Sequence, residues 1–165
     1  MSRLHRFKQA QASSHAGFQT ALAEIRSGRK RSHWIWYVFP QLAGMGSSSM
    51  SRAYAIDGLK EAREFLQDSE LRTRYLTIAQ AVAEQLRTEE KPALSDVMGS
   101  EIDAHKIVSS LTLFGRVAED LNAAEPNIDY ESIARTAGDV LAIAAAQGYP
   151  ACARTLQQLH KPTEG

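Results

Sequence analysis

Ser32-His33-Trp34-Ile35-Trp36-Tyr37-Val38-Phe39-Pro40-Gln41 is the one stretch of this 165-residue chain that argues for a β-strand. Aromatic and β-branched side chains crowd positions 34–39 and a proline closes the run, a pattern that favours a buried strand. Ser32 is a good N-cap and offers a short buried helix instead. A run this short has no periodicity able to separate the two, so the flanking sequence has to be read for strands that would pair with it.

It supplies none. Upstream, Phe18, Leu22 and Ile25 recur at helical spacing. They predict a helix that starts near Ser13 or Ser14 and stops at Gly28, followed by the basic run Arg29-Lys30-Arg31. Downstream, Gly44-Met45-Gly46-Ser47-Ser48-Ser49 has the composition of a loop. Beyond it Asp57 is placed to cap a helix carrying Leu59, Ala62 and Leu66, and Ser69 one carrying Leu71, Tyr75, Ile78, Val82 and Leu86. Pro92 opens a short helix that ends near Gly99. Ser100 and Asp103 resemble a capping box ahead of Ile107, Leu111, Phe114 and Leu121. A long helix from about Tyr130 to Gln147 ends at Gly148, and a short one follows Pro150. The expectation is an all-α fold without significant sheet. It takes the form of one compact multi-helix domain over 1–165, frayed at 1–12 and 161–165.

A chain of this length can bury a core without metal or disulfide staples. Its 44% hydrophobic and 23% charged residues are ordinary for a globular protein. Cys152 is the sole cysteine, which fits a reducing compartment. The first twelve residues lack the apolar core of a secretory signal, and no apolar run approaches the roughly 18 residues that span a bilayer. A cytoplasmic protein with no membrane association is expected. Net charge is zero, yet residues 1–60 carry +7 and residues 61–165 carry −7. Such asymmetry can mark an anion-binding face; mixing of the two halves on folding is the plainer account.

Familiar catalytic patterns are missing. The histidines, His5, His15, His33, His105 and His160, include no pair at metal-binding spacing, and one cysteine makes no zinc site. Gly44-Met45-Gly46 lacks the later glycine of a dinucleotide fingerprint, Lys30 lacks the glycines of a phosphate loop, and no Gly-x-Ser-x-Gly elbow is present.

Two weaker constellations remain. Arg29-Lys30-Arg31 adjoins His33, Trp34, Trp36 and Tyr37, and cations beside aromatics can hold phosphates and stack a base. The plainer account, and the favoured one, is that the tryptophans fill the core and the basic run is a solvated turn. The second constellation lies on the helix after Ser100. On a helical wheel Asp103, Lys106 and Ser110 fall beside Ile107 and Phe114, on the inward stripe. Polar groups placed there must pair with one another or line a cavity. Asp103 and Lys106, three apart, suit an ion pair; Ser109, Ser110 and Thr112 share the helix, and its serines suit close helix packing or back-bonding to a carbonyl. A structural ion pair is the first reading and a pocket wall a close second.

The decapeptide is followed by Gly44-x-Gly46-x-Ser48-Ser49 and by Tyr54-Ala55-Ile56. Further on come Glu61-Ala62 with Leu66, Leu71 and Arg74, and then Asp103-x-x-Lys106 with Ser109-Ser110-Leu111-Thr112-Leu113-Phe114. In this order the motifs resemble the bacterial family known as domain of unknown function 1810, over about Leu4 to Leu159. The resemblance implies a small, essentially all-helical protein, and therefore a helical Ser32–Phe39. The C-terminal region departs from the family pattern of a Gly-rich turn with an acidic residue before a Thr-Leu pair. Here Gly148-Tyr149-Pro150-Ala151-Cys152 precedes Thr155-Leu156. The family has no established activity, so no catalytic residue is carried over.

The functional expectation is a cleft between Ser32–Tyr54 and Ser100–Phe114 that binds, and in an enzyme would turn over, a small anionic or nucleotide-like ligand. His33, Asp103 and Lys106 are the candidate catalytic groups. Trp34, Trp36, Gln41, Gly44, Gly46, Ser48, Ser49, Tyr54, Lys106, Ser110 and Thr112 are the candidate binding residues. No metal site is expected, and cofactor and oligomeric state stay open. The alternative is a protein–protein interaction module with an exposed aromatic patch around Trp34 or Trp36. Nucleic-acid binding rests only on the N-terminal charge excess and ranks last.

Overall fold

In the computed structural model, which describes residues 3–160, the decapeptide holds a single turn of helix. Among the described residues ten helices succeed one another: α1 (His5–Gln11), α2 (Phe18–Arg26), α3 (Ile35–Val38), α4 (Ser49–Ala53), α5 (Gly58–Gln67), α6 (Ser69–Leu86), α7 (Leu94–Met98), α8 (Glu101–Ala124), α9 (Ile128–Ala146) and α10 (Ala153–His160). Among the described residues the only β pairing is an isolated bridge between Leu42 and Ile56. The all-α expectation holds, and the strand reading of His33–Phe39 is overturned. Trp34, Ile35, Tyr37, Val38 and Phe39 are all buried. Their aromatic and branched side chains express a demand for burial, which a buried helical turn meets as well as a strand does.

Helix α8 is the axis of the molecule and packs against α3, α5, α7, α9 and α10. Phe114, at its centre, stacks on Tyr75 of α6 (ring centroids 4.9 Å apart) and Phe65 of α5 (5.0 Å), and Phe39 completes the cluster against Tyr75 at 5.6 Å. Such aromatic pairs add about 0.5–1.5 kcal/mol each beyond the area they bury.

Within the stretch 1–12 where fraying was expected, His5–Gln11 form α1. Phe7 is fully buried, and the Arg6 guanidinium ties α1 to the rest of the chain. It donates to the Glu61 carboxylate at 2.7 Å and to the Ala53 and Ala55 carbonyls. The expectation of a frayed 161–165 lies outside the described residues. The second helix begins at Phe18 instead of Ser13 or Ser14. Gly17 sits so close to the Ser13 and Gln11 carbonyl oxygens that a Cβ there would lie 2.1 and 2.5 Å from them. The chain therefore turns before α2 can start. Asp68, not Ser69, caps α6, accepting from the N–H groups of Glu70 and Leu71. Asp57 precedes α5 but makes no side-chain cap bond; Glu61 instead reaches back to the Asp57 N–H. Ser100 caps α8 through the Asp103 N–H as the sequence predicts.

The charge halves interlock. Arg6–Glu61, Lys8–Asp68 and Lys30–Asp103 each join the basic first third to the acidic remainder. No helix among the described residues is long and apolar enough to cross a membrane.

Candidate functional site

Two charges from opposite sides lock the segment between α2 and α3. From α2, Glu24 accepts from the backbone N–H groups of Arg31 (2.9 Å) and Ser32 (2.8 Å), the Ser32 hydroxyl (2.6 Å) and the Trp34 indole N–H (2.9 Å). Burial works against its ionisation, but these donors outweigh it and hold the carboxyl near a pKa of about 2. From α8, Asp103 pairs with the Lys30 ammonium at 2.8 Å. Lys30 also donates to the Ser32 carbonyl and lies 5.0 Å from the Trp34 ring centroid. The basic run is thus no simple solvated turn, because Lys30 is 7% exposed. Its backbone N–H bonds the Val97 carbonyl, and its own carbonyl would stand 2.7 Å from a Cβ on Gly99, whose φ is +84°. Only glycine allows both that left-handed turn and that approach.

Trp34, held by Glu24, is fully buried; Trp36, two residues on, reaches the surface of α8. The Lys106 ammonium lies over its ring, 5.1 Å from the centroid. Lys106 is 3.9 Å from Asp103, whose carboxylate is already committed to Lys30 at 2.8 Å. The Trp36 indole N–H is buried without a hydrogen-bond partner among the described residues. Such an orphan donor is rare and calls for an explanation.

Around Lys106 lie two adjoining concavities. The inner one has a volume of about 20 Å³, room for a single water. Its walls bring together Trp36, Gln41, Gly44, Gly46, Tyr54 and Lys106. The outer one, about 370 Å³, shares Gln41 and Lys106 with it and adds His105, Ser109, Cys152 and Arg154. Six candidates from the sequence therefore meet in one place. His33 does not: it is exposed and lines neither concavity. Asp103 faces Lys30 and orients rather than lines. Ser48 caps α4 through the Ser51 N–H, and Ser49 is exposed at the start of that helix. Ser110, fully buried, shares a 2.9 Å hydrogen bond with the Tyr75 hydroxyl. Thr112 donates to the Val108 carbonyl and accepts from the Cys152 N–H, so it docks the C-terminal segment onto α8.

That segment forms the wall that sequence reasoning missed. Tyr149 is buried and donates to the Glu101 carboxylate at 2.6 Å, and Thr155 is fully buried. Cys152 and Arg154 are thereby brought to the cleft from more than 40 residues beyond Lys106 along the chain. Burial raises the Cys152 pKa, but hydrogen bonds from the Ser109 and Thr155 hydroxyls and the Thr155 and Arg154 N–H groups outweigh it. The net effect holds the thiol below its usual range. Alkylation of Cys152 by iodoacetamide is accordingly expected to reach half its limiting rate at a lower pH than that of a cysteine in a denatured control. In Ser109→Ala the midpoint should move up. An identical midpoint in native and denatured protein would contradict this.

A larger hollow of about 700 Å³ lies across Asp57, Glu61, Glu64 and Asp68. It is shallow, and Asp57, Glu61 and Asp68 are already paired with Arg3, Arg6 and Lys8. Among the described residues no group of three or more His, Cys, Asp or Glu side chains is placed to hold a metal ion.

Fold and site together define a compact all-helical protein with a cation-bearing cleft between α3, α8 and α10. The model of the family described as protein of unknown function (DUF1810) matches residues 1–131, and the chain belongs to that family. It is also similar to the conserved hypothetical protein Rv1873 from Mycobacterium tuberculosis in its crystal structure, at 32% identity. That similarity covers 93% of this chain and 94% of the other, with a TM-score of 0.70. No curated protein matches. Lys106 and the inner concavity fall within the family-matched stretch; Cys152 and Arg154 lie beyond it.

Proposed function

We propose that this protein binds a small anionic ligand in the cleft between Ser32–Tyr54 and Ser100–Phe114. The observation that carries the reading is the state of Lys106. It lies at the junction of both concavities, and Lys30 has already taken the nearest carboxylate. A half-buried ammonium with a weak partner attracts an anion, and the unpartnered Trp36 indole N–H beside it is a second donor in want of an acceptor. In this reading Lys106 is the anchor, Gln41 a neutral hydrogen-bonding partner, and Trp36 and Tyr54 the aromatic walls. Asp103 acts as an orienting residue through Lys30, not as a general base. A nucleotide-like ligand would place its base in the outer concavity, because the inner one has no room for a ring. The interaction-module alternative calls for an exposed tryptophan patch; Trp34 is fully buried and Trp36 lies beneath Lys106.

The test is a thermal-shift screen with inorganic phosphate, pyrophosphate, AMP, ATP and citrate on the parent chain and on Lys106→Met. A ligand bound at one hundred times its Kd raises stability by about 2.7 kcal/mol, a shift of several degrees in a chain of this size. Lys106→Met is expected to lose the shift while its ligand-free melting temperature stays within about 3 °C of the parent. Equal shifts in both proteins would overturn the assignment.

A further inference from the structure

We infer that the cleft is built for a ligand with two negative charges, and that Arg154 is the residue that reads the second. The inference rests on the anion-binding reading of Lys106 and extends it to the class of ligand. Three groups able to carry positive charge line the outer concavity, Lys106 and His105 from α8 and Arg154 from α10, and among the described residues no carboxylate lines it. In a chain whose acids and bases balance, this is a local excess that composition does not supply. Arg154 is exposed, and among the described residues its guanidinium makes one long hydrogen bond of 3.4 Å, to the Gly44 carbonyl. No other described residue takes its donors, and the planar fork suits a carboxylate or phosphate.

The placement of Arg154 comes from the fold. Thr155, the next residue, is fully buried, and the Cys152 N–H is docked on Thr112. The start of α10 is therefore fixed against α8, and Arg154 reaches the cleft from a different wall than Lys106. One cation on each wall binds a molecule with two anionic centres, such as a dicarboxylate or a diphosphate, better than one with a single charge. Lys106 lies inside the family-matched stretch and Arg154 outside it, so the second charge is read by the C-terminal segment.

The experiment compares ligands of one size and different charge. Succinate and its half-amide succinamate, together with pyrophosphate, are titrated by NMR into the parent, Arg154→Gln and Lys106→Met. The parent is expected to bind succinate or pyrophosphate at least tenfold more tightly than succinamate. The dianion that binds shows whether carboxylate or phosphate is preferred. Arg154→Gln should lose that preference, weakening the dianion about ten- to a hundredfold while succinamate changes little. Lys106→Met should lose both. If Arg154→Gln keeps the dianion preference, the role of Arg154 is overturned while the anion reading stands. If none of the three probes binds the parent in a Lys106-dependent manner, both fall.

Discussion

Asp103→Ala is expected to lower the melting temperature by about 10 °C, the largest loss of any single substitution in the cleft. The Lys30 side chain is 6% exposed, and among the described residues Asp103 is its only carboxylate within ion-pair distance. Deleting the acid leaves a buried ammonium held by the Ser32 carbonyl and the Trp34 ring alone. Breaking one side of a buried pair costs about 3–5 kcal/mol, and each kcal/mol is worth about 2–4 °C in a chain of this length. Lys30→Met should cost less, because Lys106 stands 3.9 Å from Asp103 and is free to close on the vacated carboxylate. Replacing both partners, Lys30→Met with Asp103→Leu, should recover most of the loss, since two apolar groups leave no charge stranded. Thermal denaturation of the three variants checks the order. If Asp103→Ala melts within about 2 °C of the parent, Lys30 finds another partner and the lock on the 30–34 segment is not electrostatic.

This pair shows where reading the chain by itself succeeded and where it stopped. The wheel put Asp103 and Lys106 on the inward face of α8, and they are there, one turn apart beside the tryptophan segment. It could not name Lys30 as the main partner of Asp103, because that contact spans more than seventy residues and linear charge patterns do not report it. Helical class was legible because long amphipathic stripes such as Leu71–Leu86 carry their own period, whereas α3 is a single turn and carries none. Ser110 was legible as an inward-facing polar group, and Thr112 only as its neighbour on the helix. Whether they face a ligand or a neighbour depends on Tyr75 and Cys152, which only the packing brings to them. Arg154 and Cys152 left one trace, the departure of the Gly148–Thr155 region from the family pattern, and that is the segment that closes the cleft.

Glu24→Gln is expected to destabilise the protein by about 2 kcal/mol at neutral pH, a fall of about 4–8 °C in melting temperature. The carboxylate accepts four hydrogen bonds. An amide offers one acceptor oxygen and turns two N–H donors toward groups that are themselves donors, among them the indole of the fully buried Trp34. The pH dependence identifies the cause. The group has an ordinary value of 4.5 and is held at about 2 in the folded chain. Its contribution is therefore complete above pH 4.5 and is lost as pH falls toward 2, where folded and unfolded forms bind the same proton. Glutamine does not titrate, so the gap in melting temperature between parent and variant should be widest above about pH 5 and should narrow steadily toward pH 2. A gap that stays constant across that range would mean that Glu24 acts through packing and not through charge. Because Glu24 and Asp103 hold the same short segment, Glu24 through Arg31, Ser32 and Trp34 and Asp103 through Lys30, Glu24→Gln should also loosen Trp36 over Lys106. The variant is then expected to bind any Lys106-dependent anion more weakly, although Glu24 itself lines neither concavity.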